Sequence, residues 1–345
     1  MYHVIIAGGV GSRFWPMSTK ENPKQFLNLI GDKSLIRLTY ERLLKIADSN
    51  KILIVTSTKY KSHISSQLPE IPESNIIFEP SPKNTAPAIY IVTQFINTLE
   101  KNSVVGVYPA DHYIQNENKF RDSINNIEQF ILKGDKSIVT MGIEPTYPST
   151  SYGYININNE KNEEICKVSD FIEKPNIDKA NRLIQNKNNL WNSGMFFFRT
   201  ETMLSEIHRF IPKIKDLYSK IKSVNDINVI WDQMPSDSID YSVMEKTDKA
   251  YCFKCGDIGW SDLGTWMAIY DLLDKDNNNN VIKGSGDVTV HNSFNNLIIG
   301  ENKQTSVVGM NNVAIINLED KTLVIDLSKS EDVRHIIKKI KNNLL

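Results

Sequence analysis

Short apolar runs alternate with helix-period segments through the first half of the chain, and that alternation narrows the choice of fold more than any other feature. Residues 4–7 read as a buried strand ended by Gly8-Gly9, and residues 52–55, 75–78 and 104–108 read as three more. Runs this short and this apolar are typical of strands covered on both faces. Between them, Ser34 offers an N-cap for a helix carrying Leu35, Leu38, Leu43, Ile46 and Ala47 along one side, and a second helix is expected over 86–99. Strands parted by helices predict an α/β domain: a Rossmann-like fold with a mixed, mainly parallel sheet. Ligands of such sheets lie beyond the carboxyl ends of the strands, which directs attention to the loops after Ala7 and Tyr108.

The pattern loosens over residues 135–270, where short strands are expected at 137–142, 153–157, 165–172 and 195–199, with a helix at 201–209. The polar stretch from Asp274 to Asn280, followed by Gly284-Ser285-Gly286, predicts a domain boundary. The expected organisation is an α/β domain over 1–275, a linker over 276–286, and a small C-terminal β domain with a terminal helix over 287–345. Apolar strands centred near Thr289, Ile298, Val308, Ile315 and Val324 recur at roughly seven to ten residues, a rhythm that suits a short β-helix. Ser330 then reads as the N-cap of a helix with Val333, Ile336, Ile337, Ile340 and Leu344 at helical spacing.

Composition excludes several function classes. With 40% hydrophobic and 23% charged residues, the chain is globular rather than disordered or coiled. Forty basic residues against 41 acidic ones leave a net charge of −1, without the basic surplus of a nucleic-acid or anionic-membrane binder. No apolar run approaches the ~18 residues of a membrane span. The opening Tyr2-His3-Val4-Ile5-Ile6 lacks the features of a signal peptide. Three cysteines (Cys166, Cys252 and Cys255) cannot build a disulfide framework in a chain of this length. A soluble cytoplasmic protein is expected, with no membrane and no nucleic-acid partner.

The chemistry concentrates after the first strand. Gly8, Gly9 and Gly11 allow backbone N–H groups to approach an anion, and Ser12-Arg13 follow directly. A Walker A loop is absent, and the dinucleotide pattern GxGxxG that starts at Gly9 fails at Phe14. Arg13 supplies a bidentate fork for phosphate oxygens, and Lys24, in Pro23-Lys24, a compact point charge. Two cations beside a glycine cradle suit a triphosphate. Cys252-Phe253-Lys254-Cys255 is a formal CxxC, but residues three apart on a strand face opposite ways and no second pair exists, so structural cysteines are expected.

The stretch GGVGSRFWPMS together with NPKQFL resembles the signature of the sugar-nucleotide pyrophosphorylases, and PKQFL is similar to the mannose-1-phosphate guanylyltransferase branch. Further segments agree in order: Glu79-Pro80 through Ile89, Pro109-Ala110-Asp111-His112, Phe171-Ile172-Glu173-Lys174-Pro175, Trp191-Asn192-Ser193-Gly194-Met195-Phe196 and Gly259-Trp260-Ser261-Asp262-Leu263-Gly264. Lys83 stands where many of these enzymes carry Arg. The resemblance implies transfer of GMP from GTP to mannose 1-phosphate with Mg²⁺, releasing pyrophosphate. It implies Asp111 and Asp262 as the metal aspartates, in keeping with the one or two carboxylates that Mg²⁺ commonly takes. Arg13, Lys24, Asp111 and Asp262 form the implied catalytic set, and Gly8, Gly9, Gly11, Ser12, Asn84, Thr85 and Ala86 join it on the nucleotide. Gly153, Glu173, Lys174, Asn192 and Asp262 are implied at the hexose phosphate, with Asn192 offering both donor and acceptor to a hydroxyl. The sugar phosphate is ionised at neutral pH and needs no general base, so His112 is expected in a supporting role. The resemblance also implies a homodimer assisted by the C-terminal unit. Because the chain stops short of the isomerase domain that bifunctional relatives append, isomerase activity is not expected. Two alternatives stay open: another sugar-phosphate and nucleotide pair, or a non-catalytic nucleotide-sugar-binding regulator.

Overall fold

The computed structural model describes residues 1–9, 11–134, 136–158, 163–223 and 226–342. Contacts between Cα atoms divide the chain into two compact units. The first comprises Met1–Gly8, Thr39–Ala110 and Ile114–Trp260; the second comprises Gly9–Leu38, Asp111–Tyr113 and the chain from Ser261 onward.

The first unit is built on a nine-stranded sheet. Its strands are β1 (Tyr2–Ala7), β2 (Ile52–Ser57), β3 (Ile76–Glu79), β4 (Val104–Pro109), β5 (Ile138–Ile143), β6 (Tyr154–Asn158), β7 (Ile165–Ile172), β8 (Asn189–Arg199) and β9 (Ala250–Lys254). They lie in the order β3-β2-β1-β4-β8-β5-β9-β7-β6. The run β3-β2-β1-β4 is parallel, as the alternation with helices predicts. Beyond it the sheet is mixed, because β8 enters antiparallel between β4 and β5. β8 begins six residues before its expected start. Asn189, Asn192, Ser193 and Gly194 have weak strand preference, and pairing with β5 and β6 overrides it. The helix Thr85–Leu99 packs a continuous apolar face into the core with Val4, Leu53, Val105, Phe196 and Phe198. A further helix, Glu117–Lys133, escapes the sequence reading although Phe120, Ile124, Ile127 and Ile131 are buried at helical spacing. Its N-cap is Asn116, whose side chain accepts the Lys119 N–H. Ser34 caps its helix as expected, accepting the Arg37 N–H at 3.3 Å.

The second unit contains β10 (Val281–Lys283), β11 (Val288–His291), β12 (Leu297–Gly300), β13 (Thr305–Val308), β14 (Val313–Asn317) and β15 (Thr322–Asp326). β10, β12 and β14 stack in parallel, β15 closes antiparallel on β14, and β11 pairs in parallel with β13. This is the expected short β-helix. The seven-to-ten-residue rhythm corresponds to half a coil, since Val281, Leu297 and Ala314 lie in register. Asn280 and Asn296 form an internal ladder: the Asn280 side-chain oxygen accepts the Asn296 N–H, and the Asn296 oxygen accepts the Val313 N–H, both at 3.1 Å.

The stretch expected as a linker is ordered. Asp276 accepts the N–H groups of Asn278 and Asn280 at 2.8 and 2.7 Å, and β10 falls inside 276–286. Gly9–Leu38 belongs to this unit because Phe14, Leu27, Leu29 and Leu35 share its core with Trp266, Ile269, Leu297, Ile316 and Val333. The terminal helix spans Val333–Asn342. Ser330 does not cap it: the residue lies in a 3₁₀ turn and donates to the Leu327 carbonyl. Leu344 lies outside the described residues. Among the described residues no helix is long and apolar enough to cross a membrane.

Candidate active site

β1 ends on Ala7, whose carbonyl accepts Thr56 Oγ1 at 2.9 Å, and the chain enters the glycine loop. Gly8 and Gly9 adopt no left-handed φ, and a Cβ on either would meet no atom within 4 Å. Packing therefore does not account for their missing side chains, and the bare backbone there leaves open space beside it. Gly11 is different. Its φ is +65°, and a Cβ there would fall 2.2 Å from Lys24 Cβ, so this glycine makes way for the lysine. Ser12, at the start of the short turn Ser12–Phe14, is exposed.

Lys24 is only 5% exposed, and its ammonium makes two hydrogen bonds. It donates to Asp111 Oδ2 at 2.8 Å and to the Asp262 carbonyl at 2.6 Å. Burial alone would push the Asp111 carboxyl up. Lys24, and after it His112, outweigh that effect and hold it below the ordinary carboxylate value. Asp111 is thus kept ionised while 34% of its side chain stays exposed. Arg13 Nη1 approaches the Gly264 carbonyl at 3.5 Å. A Cβ on Gly264 would stand 2.8 Å from Asp262 Oδ2 and 3.2 Å from Arg13 Nη1. Four of the residues singled out by sequence therefore converge: Arg13, Lys24, Asp111 and Asp262. Of the two cations expected beside the glycine loop, Lys24 is already paired with Asp111. Phe14 and Trp266 meet edge to face at 4.9 Å, and the Lys24 ammonium stands 5.8 Å from the Phe14 ring centroid.

Among the described residues, no group of three or more His, Cys, Asp or Glu side chains is placed to hold a metal alone. Two aspartates, one of them held ionised, fit a hard divalent cation that completes its shell with phosphate oxygens and water.

In the first unit, Asn84 precedes the helix Thr85–Leu99 with φ 62°. Its side chain does not cap the helix; it donates to Ser236 Oγ at 3.3 Å. Thr85 Oγ1 accepts the Ile239 N–H at 2.9 Å, and the Ala86 N–H donates to the Asp237 carbonyl at 3.1 Å. Lys83 is anchored on the carbonyls of Asp232 and Met234. Four residues before Lys83, Glu79 closes β3 as a buried carboxyl whose Oε1 has no hydrogen-bond partner, and burial raises its pKa to about 7.

The hexose-side residues also gather. The Glu173 side chain is only 7% exposed, and its Oε2 rests where a Cβ on Gly153 would come within 2.5 Å. Lys174, at φ 43°, is paired with Glu173 Oε1. Asn192 donates its backbone N–H to the Gly153 carbonyl at 2.8 Å. Its side-chain oxygen already accepts Thr140 Oγ1 at 3.0 Å and the Gly194 N–H at 3.1 Å, while Nδ2 donates to Asp240 Oδ1 at 2.9 Å. The expected dual role of Asn192 is corrected: its acceptor capacity is used within the protein. Asp240 is missed by the sequence reading, and nothing local marks it, since its partner lies 48 residues away. The three cysteines are buried, and burial raises each thiol, in keeping with a structural role.

Comparison with known proteins agrees with this arrangement. Residues 2–279 match the nucleotidyl transferase family, and residues 286–340 match the mannose-phosphate isomerase/GMP-like β-helix domain. A mannose-1-phosphate guanylyltransferase of Salmonella muenchen is 36% identical over 352 residues, covering 99% of this chain and 73% of the relative. Mannose-1-phosphate guanylyltransferase 2 of Escherichia coli O157:H7 is 36% identical, covering 97% of this chain and 72% of its own length. The crystal structure of a mannose-1-phosphate geranyltransferase from Thermus thermophilus superposes with a TM-score of 0.88 at 26% identity, covering 99% of both chains. The glycine loop, the Lys24–Asp111 pair and a match running through residues 2–279 lead to one conclusion: the chain belongs to the nucleotidyl transferase family.

Proposed function

We propose that this protein is a mannose-1-phosphate guanylyltransferase, converting GTP and α-D-mannose 1-phosphate to GDP-mannose and pyrophosphate. The observation that carries the reading is the buried Lys24, which joins the Asp111 carboxylate to the Asp262 backbone next to a glycine loop with open backbone. In the reaction, a phosphate oxygen of the sugar forms a bond to the α-phosphorus of GTP as the bond to pyrophosphate breaks. The attacking oxygen is already ionised, so alignment and charge neutralisation supply the catalysis.

The backbone at Gly8, Gly9, Gly11 and Ser12 receives the nucleotide phosphates, and Arg13 meets the charge that grows on the departing pyrophosphate. Lys24 holds Asp111 ionised and in place. Asn84, Thr85 and Ala86 border the guanine. Gly153 lets the hexose approach the backbone, Glu173 accepts its hydroxyls, Asn192 donates to one, and Lys174 and Asp262 attend its phosphate end. Asp111 and Asp262 would hold Mg²⁺, which when bound neutralises phosphate charge. We place the enzyme in the cytoplasm as a homodimer. A non-catalytic regulator would have no need of Arg13, Lys24, Asp111 and Asp262 together.

The test is pyrophosphate release from GTP, ATP, UTP and dTTP, each with mannose 1-phosphate and glucose 1-phosphate. GTP with mannose 1-phosphate is expected to give the highest kcat/KM. A preference for dTTP or UTP with glucose 1-phosphate would reassign the substrate.

A further inference from the structure

The Asn192 amide is held from three sides, and one of its contacts fixes how the amide is turned. The Gly194 N–H faces Oδ1 at 3.1 Å, and a backbone N–H can only donate, so the facing atom is oxygen and not nitrogen. Thr140 Oγ1 donates to the same oxygen at 3.0 Å and fills its second lone pair. Nδ2 is thereby turned to Asp240 Oδ1 at 2.9 Å. One N–H of Asn192 remains, and toward a ligand the side chain can act only as a donor.

Asp240 opens the π-helical turn Asp240–Met244. The residues just before it are tied to the other substrate segment of this unit. Ser236 Oγ accepts Asn84 Nδ2, the Asp237 carbonyl accepts the Ala86 N–H, and the Ile239 N–H donates to Thr85 Oγ1. Residues 236–240 thus touch both the expected guanine side and the expected hexose side.

From this geometry we infer that Asp240 is a positioning residue for the sugar phosphate, holding Asn192 as a pure hydrogen-bond donor to a hexose hydroxyl. The inference rests on the proposed sugar-phosphate reading and adds to it the residue that sets how Asn192 is presented. The electrostatic surroundings give the arrangement a signature. Burial first, and Glu173 second, raise the Asp240 carboxyl to about 6, against the opposing pull of its own backbone, Lys174 and Asn192. Glu173 and Lys174 are the charged groups that act on it.

The experiment uses the full chain, beginning with wild-type turnover of GTP and mannose 1-phosphate. Absence of that turnover would overturn the substrate reading rather than the role of Asp240. Given turnover, Asp240→Ala is expected to raise KM for mannose 1-phosphate roughly ten-fold or more while leaving KM for GTP unchanged. Asn192→Ala added to Asp240→Ala should raise it no further. Asp240→Asn, which keeps an oxygen for Asn192, should restore KM at pH 8. It should also remove an inflection near pH 6 from kcat/KM for the sugar phosphate. The substrate's own ionisation is common to both enzymes, so the difference between their profiles isolates Asp240. An unchanged KM in Asp240→Ala, independent effects of the two alanines, or the same pH profile in Asp240→Asn would each overturn the inference. If Asp240→Ala does not fold, the pH comparison of wild type with Asp240→Asn decides alone.

Discussion

Glu79→Gln is expected to make the protein less sensitive to alkaline pH, by an amount that follows from burial. Glu79 is 5% exposed, its Oε1 has no hydrogen-bond partner, and its pKa rises from the ordinary 4.5 to about 7 because burial penalises the charged form. The folded state therefore holds the proton more tightly than the unfolded state. Stability linked to this group is complete below pH 4.5 and is lost as pH rises through about 7. At about 1.36 kcal/mol for each pH unit of difference, the loss between pH 5 and pH 8 is roughly 2.5 kcal/mol. Glutamine cannot ionise. Its amide carries a constant cost or gain from its own hydrogen bonds, and that offset does not change with pH. The measurement is urea unfolding of wild type and Glu79→Gln at both pH values. The variant should gain about 2.5 kcal/mol on wild type between pH 5 and pH 8. A stability difference that stays the same at both would show that Glu79 ionises normally in the folded protein, and the burial argument would fail.

Arg13→Ala should lower turnover by roughly 10²–10³ while moving the melting temperature little, because the side chain's hydrogen bond to the Gly264 carbonyl is a long one at 3.5 Å; near-normal turnover in a folded variant would remove Arg13 from the catalytic set. Asp111→Asn and Asp262→Asn should each raise the Mg²⁺ concentration needed for half-maximal rate, and the double variant should lose less than the two single losses combined. Asp111→Asn should also destabilise the fold, since the buried Lys24 meets Asp111 through its carboxylate; Mg²⁺ titrations with parallel melting curves check both points. Truncation after Gly284 should yield an insoluble or inactive protein, because Phe14, Leu27 and Leu29 share a core with Leu297, Ile316 and Val333. A soluble, active truncation would refute that.

The sequence shows the parts of this molecule whose physics is local. β1 to β4 are legible because each is a short apolar run and the helices between them carry their own period. The glycine loop is legible because Gly8, Gly9 and Gly11 are costly residues to place side by side without a reason. The polar half of β8 is not, because Asn189–Gly194 become a strand only through their pairing with β5 and β6. The stretch 276–286 reads as a linker because its asparagines look like solvated loop, whereas Asn280 is buried in a ladder whose next rung lies one coil further along the chain.

The same division runs through the site. Residue types suited to phosphate and sugar stand out in sequence, but the groups that decide what those residues can offer do not. Lys24 reads as a cation awaiting phosphate, and only the fold shows it balanced by Asp111. Asn192 reads as donor and acceptor, and only Thr140, Gly194 and Asp240 show its acceptor to be occupied. In both cases the correction has one direction: the folded protein uses up part of a side chain's hydrogen-bonding capacity and leaves a narrower function than the residue type implies. Selectivity in this protein should therefore respond to substitutions at the holding residues, Asp240 above all, as well as at the residues that meet the substrate.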